Sequence, residues 1–304
     1  MGSDSFAVPA LEALVAAGHQ VAAVCSQPPR RAGRGRKLRP TPLAARASEL
    51  GLDVRLPERV SDPEFAVEMA GLDADCGILV AYGQLLPGAV LSAPTNGFLN
   101  LHPSLLPRWR GAAPVQRAIL AGDSVTGACI MKMNERFDDG PVLMRQEVDI
   151  PGDANSTSLA STLAATGAEM LVDALARIDR LQPTPQGKHG RTAAPKIDKS
   201  ETVIDWTRPA AQVSRQIRAL AMTPGAWTTH GRVRLRILAA EIAAGSGKAG
   251  EVLNSRMTIA CGEGAIRILQ IQRPGRNLAT TDEFLRGYPI AAGELLGGPA
   301  EEGR

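Results

Sequence analysis

The chain has 304 residues, long for one compact domain and comfortable for two. Apolar residues make up 44 % and aromatic residues only 3 %, so a core can form but must be built from Ala, Val, Leu and Ile. The net charge of +3 is modest, and its distribution is more informative than its size. No segment reads as collagen-like or low-complexity, and no apolar run approaches membrane-helix length. The start, Met1-Gly2-Ser3-Asp4-Ser5, lacks the basic-then-apolar pattern of a signal peptide. Cys25, Cys76, Cys129 and Cys261 lie far apart in apolar runs, as expected of buried thiols in a reducing compartment, so the cytoplasm is the default. His19, His102, His189 and His230 are not paired at ligand spacing, and no metal is expected.

In chain order, residues 6–18 predict a helix with Ser3 or Asp4 as cap, and 21–25 a short buried strand. The next stretch holds Arg30, Arg31, Arg34, Arg36, Lys37 and Arg39 without an acidic residue. Gly33 and Gly35 interrupt it, and Pro28, Pro29, Pro40 and Pro42 bracket it, which predicts a flexible basic loop rather than a helix or strand. Residues 41–51 read as a helix, 53–56 as a strand, 63–72 as a helix, and 76–82 and 98–102 as strands. A helix over 114–121 follows, then a hairpin (129–133 and 142–150) with Asp139-Gly140 near its turn, then a long helix over 158–180. Apolar strands joined by helices indicate an α/β unit with a parallel sheet covered on both faces.

Pro183, Pro185, Gly187, Gly190 and Pro195 make 182–196 a linker. Beyond it, a helix over 210–221 leads to short strands at 227–230, 233–240, 250–254, 257–260 and 265–272. Strands without intervening helices argue for a small barrel or sandwich. The expected division is 1–181, linker 182–196 and 197–304.

Asn100 and His102 break an otherwise apolar strand. With a side-chain period of two they share one face, while Leu99 and Leu101 share the other. Pro103 and Pro107 end the strand there, and ligands of open α/β sheets bind beyond the carboxyl ends of strands. A buried amide and imidazole side by side require partners.

The run Asn100-Leu-His102-Pro-Ser-Leu-Leu-Pro107-Arg-Trp-Arg-Gly111-Ala-Ala-Pro114 resembles the signature of the folate-dependent formyltransferase family. The resemblance implies a Rossmann-like, mostly parallel sheet domain followed by a small, OB-like C-terminal β-barrel. It implies Asn100, His102 and Asp138 as catalytic residues, with Phe137 where the family usually has Leu before its Asp-x-Gly. It also implies a 10-formyltetrahydrofolate donor beside Ser104, Leu105, Leu106 and Pro107, with Tyr82 and Gly83 in the pocket wall. These residue types suit attack of a neutral amine on a formyl carbon. An amide can hold the oxyanion, an imidazole can take the proton, and a carboxylate can orient and favour the charged ring.

Three more stretches favour the branch of the family whose acceptor is methionyl-initiator tRNA: Phe6-Ala-Val-Pro9, the basic loop from Arg31 to Pro40, and Lys196-Ile-Asp-Lys199-Ser-Glu201. They imply tRNA contacts at Arg31, Arg34, Arg36, Lys37, Arg39, Lys196 and Lys199. Arg232, Arg234 and Arg236 alternate along one strand face, and Arg215 and Arg218 sit three apart on a helix, as a second basic track would. Scarce aromatics fit backbone and shape recognition of an RNA stem better than stacking on single strands. The family implies a monomer, and nothing suggests a membrane partner. The competing readings are a formyltransferase acting on an amino-sugar nucleotide, which needs no such wide cationic surface, and a non-catalytic RNA-binding protein on the same fold. No strand precedes Gly2, whereas doubly wound units open with one. Met1 is therefore expected to be internal to a longer natural chain.

Overall fold

A computed structural model describes residues 1–32 and 37–297. Arg34 and Arg36 lie outside the described residues. Two compact units form. One comprises Met1–Pro114, Val125–Asp149 and Ala160–Pro195; the other comprises Val115–Ser124, Ile150–Leu159 and the chain from Lys196 onward.

The chain runs α1 (Val8–Ala16), β1 (Val24–Cys25), β2 (Arg30–Ala32), β3 (Lys37–Arg39), α2 (Pro42–Glu49), β4 (Val54–Arg55) and α3 (Pro63–Ala70). It continues with β5 (Gly77–Leu79), α4 (Gly88–Leu91), β6 (Phe98–His102), α5 (Pro114–Ala121), β7 (Val125–Lys132), β8 (Val142–Asp149) and α6 (Ser156–Ala176). Local chemistry sets the helix starts. Thr41 Oγ1 accepts the Ala44 N–H at 3.2 Å, and Pro42 follows where no N–H is needed.

In the first unit β1 pairs with β4 in parallel, and β5–β6–β7–β8 form a second sheet, parallel at β5–β6 and antiparallel beyond. Met1–Ser3 lie between the two sheets. Gly2 N donates to Cys25 O at 3.0 Å, Val80 N to Met1 O at 2.9 Å, and Ser3 N to Ala81 O at 3.2 Å. Beside Met1, between residues 20–25 and 75–78, is a cavity of about 330 Å³.

The period of two places β6 as its sequence demands. Leu99 and Leu101 enter a core with Val24, Val80, Ala128, Ile130, Met170 and Leu171, whereas Phe98 enters another with Phe65, Met69, Leu79 and Val90. Each of the two leucines contributes roughly 2 kcal/mol by burial. Helix α6 is 21 residues long and, by length and apolarity alone, could cross a membrane, contrary to the expectation of no such run. Its apolar residues Leu163, Ala168 and Leu171 are buried against the fold instead. Gly167 lets it close on β6, since a Cβ there would stand 2.3 Å from Leu101 Cδ1.

Two expectations for this unit change. The described residues of the basic stretch are not irregular, because β2 and β3 pair antiparallel, matching Arg30 with Arg39 and Arg31 with Leu38, while 33–36 lie outside the described residues. Charge prevents burial of such a segment but not its extension, and a two-stranded ribbon can keep both faces wet. Residues 184–194, read as linker, bind along the first unit. Thr184 and Val142 exchange two backbone hydrogen bonds of 2.8 Å, and Ala194 N donates to Arg110 O at 2.6 Å.

The second unit follows with α7 (Ala210–Ala219), β9 (Ala226–His230), β10 (Val233–Ala243), β11 (Thr258–Ala260), β12 (Ala265–Gln272), β13 (Ala279–Thr280) and α8 (Thr281–Gly287). Its antiparallel sheet has the order β11–β12–β10–β9, with β13 on β12, and β10 is irregular at Ile237–Ala240. This is the small curled β-unit the sequence implied. Ile217, Leu235, Ile237, Ile259, Ile266 and Trp206 fill it, and Trp206 Nε1 donates to Thr228 Oγ1 at 2.9 Å. Residues 250–254 form no continuous strand and make only single bridges, Glu251 with Leu295 and Val252 with Ile259. Helix α8 was not anticipated, although Thr280 and Glu283 form its capping box.

Candidate active site

Strand β6 delivers Asn100 and His102 to the face opposite Leu99 and Leu101, and both are buried, at 6 % and 4 % exposure. The loop between β7 and β8 folds back over them and brings Asp138 to the pair. Asp138 Oδ1 lies 3.4 Å from Asn100 Nδ2 and 3.6 Å from His102 Nδ1. Its Oδ2 accepts the Gly111 N–H at 2.9 Å. Three residues spread over 39 positions of sequence thus converge, as the motif implied.

The imidazole is held from its far side. His102 Nε2 stands 2.9 Å from the Trp109 carbonyl, and since a carbonyl only accepts, that nitrogen carries a proton. A neutral ring therefore turns the Nδ1 lone pair towards Asp138, and a protonated ring turns an N–H there. The orienting part that a serine-protease aspartate plays falls here to a backbone carbonyl, while the carboxylate faces the nitrogen that changes protonation. Asp138 has φ of +48° and Trp109 +60°, left-handed values costly for a side chain as large as Trp.

The turn after the strand is internally tied. Ser104 is fully buried, and its hydroxyl donates to Arg108 O at 2.6 Å. Leu106 is buried with Cys129, Met131 and Val142, while Leu105 and Pro107 are partly exposed. Tyr82 lies at the end of the neighbouring strand run, but its ring is inside the core with Cys25 and Phe98, where burial pushes the phenol pKa well up. Gly83 is exposed with φ of +81°. Cys129, opposite His102 across β6 and β7, has its thiol pushed up to about 11 by burial.

Arg31, Lys37 and Arg39 are exposed on the β2–β3 hairpin in the first unit, and Lys196 and Lys199 are exposed in the second. Arg232 and Arg234 are also exposed in the second unit, with the Arg234 guanidinium 4.1 Å from the Trp227 ring centre. Arg218 and Arg236 are instead used by the fold, donating to Ala154 O at 2.7 Å and to Gln272 Oε1 at 2.6 Å.

Sequence reasoning missed several residues around Asp138. Arg110, only 7 % exposed, pairs with Asp139, and Gln186 bonds to Arg110 and to the Asp138 turn. Arg110 stood inside the quoted motif. Nothing in the sequence around Gln186 marks it.

A Rossmann-like sheet with an amide, an imidazole and a carboxylate gathered at the end of one strand defines an acyl-transfer scaffold. Residues 1–175 match the family described as Formyl transferase and 196–289 the Formyl transferase C-terminal domain, and the chain belongs to the formyl transferase family. Along nearly its whole length it is similar to Methionyl-tRNA formyltransferase of Ruegeria pomeroyi, with 52 % identity over 97 % of this chain and 98 % of the relative. The protein of that name from Caulobacter vibrioides is 49 % identical over 97 % of this chain and 98 % of its own. Among solved structures, the N-formyltransferase from Helicobacter canadensis in complex with folinic acid and dTDP-3-aminofucose superposes with a TM-score of 0.64 at 14 % identity. That match covers 90 % of this chain and 97 % of that one. HypX from Aquifex aeolicus in complex with tetrahydrofolic acid gives 0.61 at 22 % identity over 84 % of this chain, which spans only 48 % of HypX. At such identities these two likenesses show the fold alone.

Proposed function

We propose that this chain transfers the formyl group of 10-formyltetrahydrofolate to the α-amino group of methionyl-initiator tRNA. One observation carries the reading: Asn100, His102 and Asp138 meet in a chain about half identical, end to end, to methionyl-tRNA formyltransferases.

The chemistry follows from the three side chains. Asn100 Nδ2 donates to the oxyanion that develops when the amine attacks the formyl carbon. His102 Nδ1 accepts the amine proton, since Nε2 is engaged by Trp109 O, and returns it to the folate nitrogen as the bond from that nitrogen to the formyl carbon breaks and tetrahydrofolate leaves. Asp138 stabilises the imidazolium as it forms, and the Gly111 N–H keeps the carboxylate in place. The folate donor lies against the backbone of Ser104, Leu105, Leu106 and Pro107 and of Tyr82 and Gly83. The first unit, with 1–181 as its body, performs the chemistry. The second, from 197 on, holds tRNA together with Arg31, Lys37, Arg39, Lys196 and Lys199, and Arg34 and Arg36 belong to the same basic segment. The site needs no metal in this scheme, and the protein works as a cytoplasmic monomer.

The test offers 10-formyltetrahydrofolate with charged initiator tRNA, with elongator methionyl-tRNA and with an amino-sugar nucleotide. Formyl-methionyl initiator tRNA is the expected product. Formylation of the sugar alone overturns the acceptor assignment, and no transfer to any of the three overturns the enzyme assignment.

A further inference from the structure

We propose that Gln186 is a positioning residue for Asp138, which makes the last strip of the first unit part of the catalytic apparatus. The inference rests on the reading of Asp138 as the carboxylate that serves His102.

Gln186 uses every hydrogen-bonding valence of its amide. Its Nε2 donates to Asp138 O at 3.0 Å and to Gly140 O at 2.7 Å. Its Oε1 accepts from Arg110 Nε at 2.9 Å and from Nη2 at 2.6 Å. Two donors and two acceptor sites are all that a glutamine offers. The remaining arm of Arg110, Nη1, pairs with the Asp139 carboxylate. Asp138, Asp139 and Gly140 are therefore gripped from one side by a single amide and a single guanidinium.

The grip has a purpose at Asp138 itself. That residue holds φ of +48°, which a free Asp-Asp-Gly turn would leave for other wells. Among the described residues its carboxylate has the Gly111 N–H at good distance, and Asn100 and His102 stand at 3.4 and 3.6 Å. Side-chain contacts this long do not fix the turn. The backbone carbonyls must be fixed instead, and Gln186 is the side chain that binds two of them. Its own backbone is anchored two residues earlier by the Thr184–Val142 pair and six residues later by Thr192, whose Oγ1 accepts the Trp109 N–H at 2.9 Å. Trp109 in turn supplies the carbonyl that holds His102. The strip from 184 to 194 thus touches the supports of both the base and its carboxylate.

The experiment uses the full-length enzyme and its two substrates, with Gln186→Ala, Gln186→Glu, Asp138→Asn and the double variant Gln186→Ala/Asp138→Asn. Gln186→Ala is expected to lower kcat about tenfold to a hundredfold, the cost of a misplaced group, with KM for the folate and for tRNA changed less than about twofold. Gln186→Glu still accepts from Arg110 but cannot donate to the two carbonyls, and should be equally slow. On the Asp138→Asn background, Gln186→Ala should add less than about twofold, because its only route to the chemistry is already gone. A general weakening of the fold would instead raise KM and lower the melting temperature in parallel with kcat, and would add on either background. That pattern, or a kcat within about twofold of wild type in Gln186→Glu, overturns the inference. If Asp138→Asn itself retains wild-type kcat, the reading of the site fails, a different result from an active Gln186 variant beside an inactive Asp138 one.

Discussion

Replacing Asp138 by Asn removes one charge and, with the amide oxygen turned to Gly111, the long 3.4 Å acceptor of Asn100 Nδ2. The amide oxygen can still accept the Gly111 N–H now held at 2.9 Å, and the side chain fits the same space. What disappears is the attraction between the carboxylate and the imidazolium that forms when His102 takes the amine proton. At the 3.6 Å separation, with an effective dielectric of about 20, that attraction is worth about 4 to 5 kcal/mol. The Asp138 side chain is 16 % exposed, so water trims the figure to about 3 to 4 kcal/mol. This corresponds to roughly a hundredfold to a thousandfold in rate. The loss should fall on kcat in single-turnover formylation of methionyl-initiator tRNA, with both KM values nearly unchanged. Unfolding in urea should move by no more than about 1 kcal/mol, since the hydrogen bond survives. A variant within threefold of wild-type kcat would show that the carboxylate does not serve the imidazole, and the electrostatic argument would fail with it.

Three further outcomes follow from the geometry. A Cβ on Gly140 would stand 1.8 Å from Lys132 O, so Gly140→Ala should cost about 1–3 kcal/mol and slow turnover as the turn shifts; thermal unfolding and kcat read both, and a neutral variant contradicts it. The Cys129 thiol, at about 11 when folded, ionises well above an unfolded cysteine near 8.5, so its contribution is complete below about pH 8.5 and is lost as pH rises through 11. Urea midpoints should therefore fall over that window, and Cys129→Ala should flatten the fall; an unchanged slope refutes the assignment. Arg31→Ala and Arg39→Ala, on the exposed hairpin, should each reduce the salt dependence of tRNA affinity by about one in the log–log slope, with kcat at saturating tRNA preserved. An unaltered slope means that these cations do not meet phosphate.

What could be read in advance tracked how local the cause was. The strand over 98–102 was legible to the residue because the alternation of Leu with Asn and His states both its extension and its facing. Helix α5 was equally plain from Pro114 and its apolar spacing. The β2–β3 hairpin was hidden because strand prediction looks for residues that bury, and these are arginines. Segment 250–254 looked like a strand, but its backbone hydrogen bonds are split between Thr258–Ala260 on one side and Gly293–Leu296 on the other, so it forms only isolated bridges. Of the candidate site, the convergence of Asn100, His102 and Asp138 could be anticipated from a long motif. The Trp109 carbonyl could not, since backbone groups leave no mark in a sequence. Gln186 escaped for another reason: its partners lie 46 to 76 positions away, and its Pro- and Gly-rich neighbourhood looks like a spacer.

The ties that bind residues 184–194 to the first unit decide where this polypeptide can be cut and rejoined. A chimaera made at position 182, where the composition changes, would hand a foreign strip to Val142, Arg110 and Trp109. The splice belongs after Pro195, where that unit ends. Anyone grafting a new second unit onto this enzyme would have to leave those last dozen residues with the first.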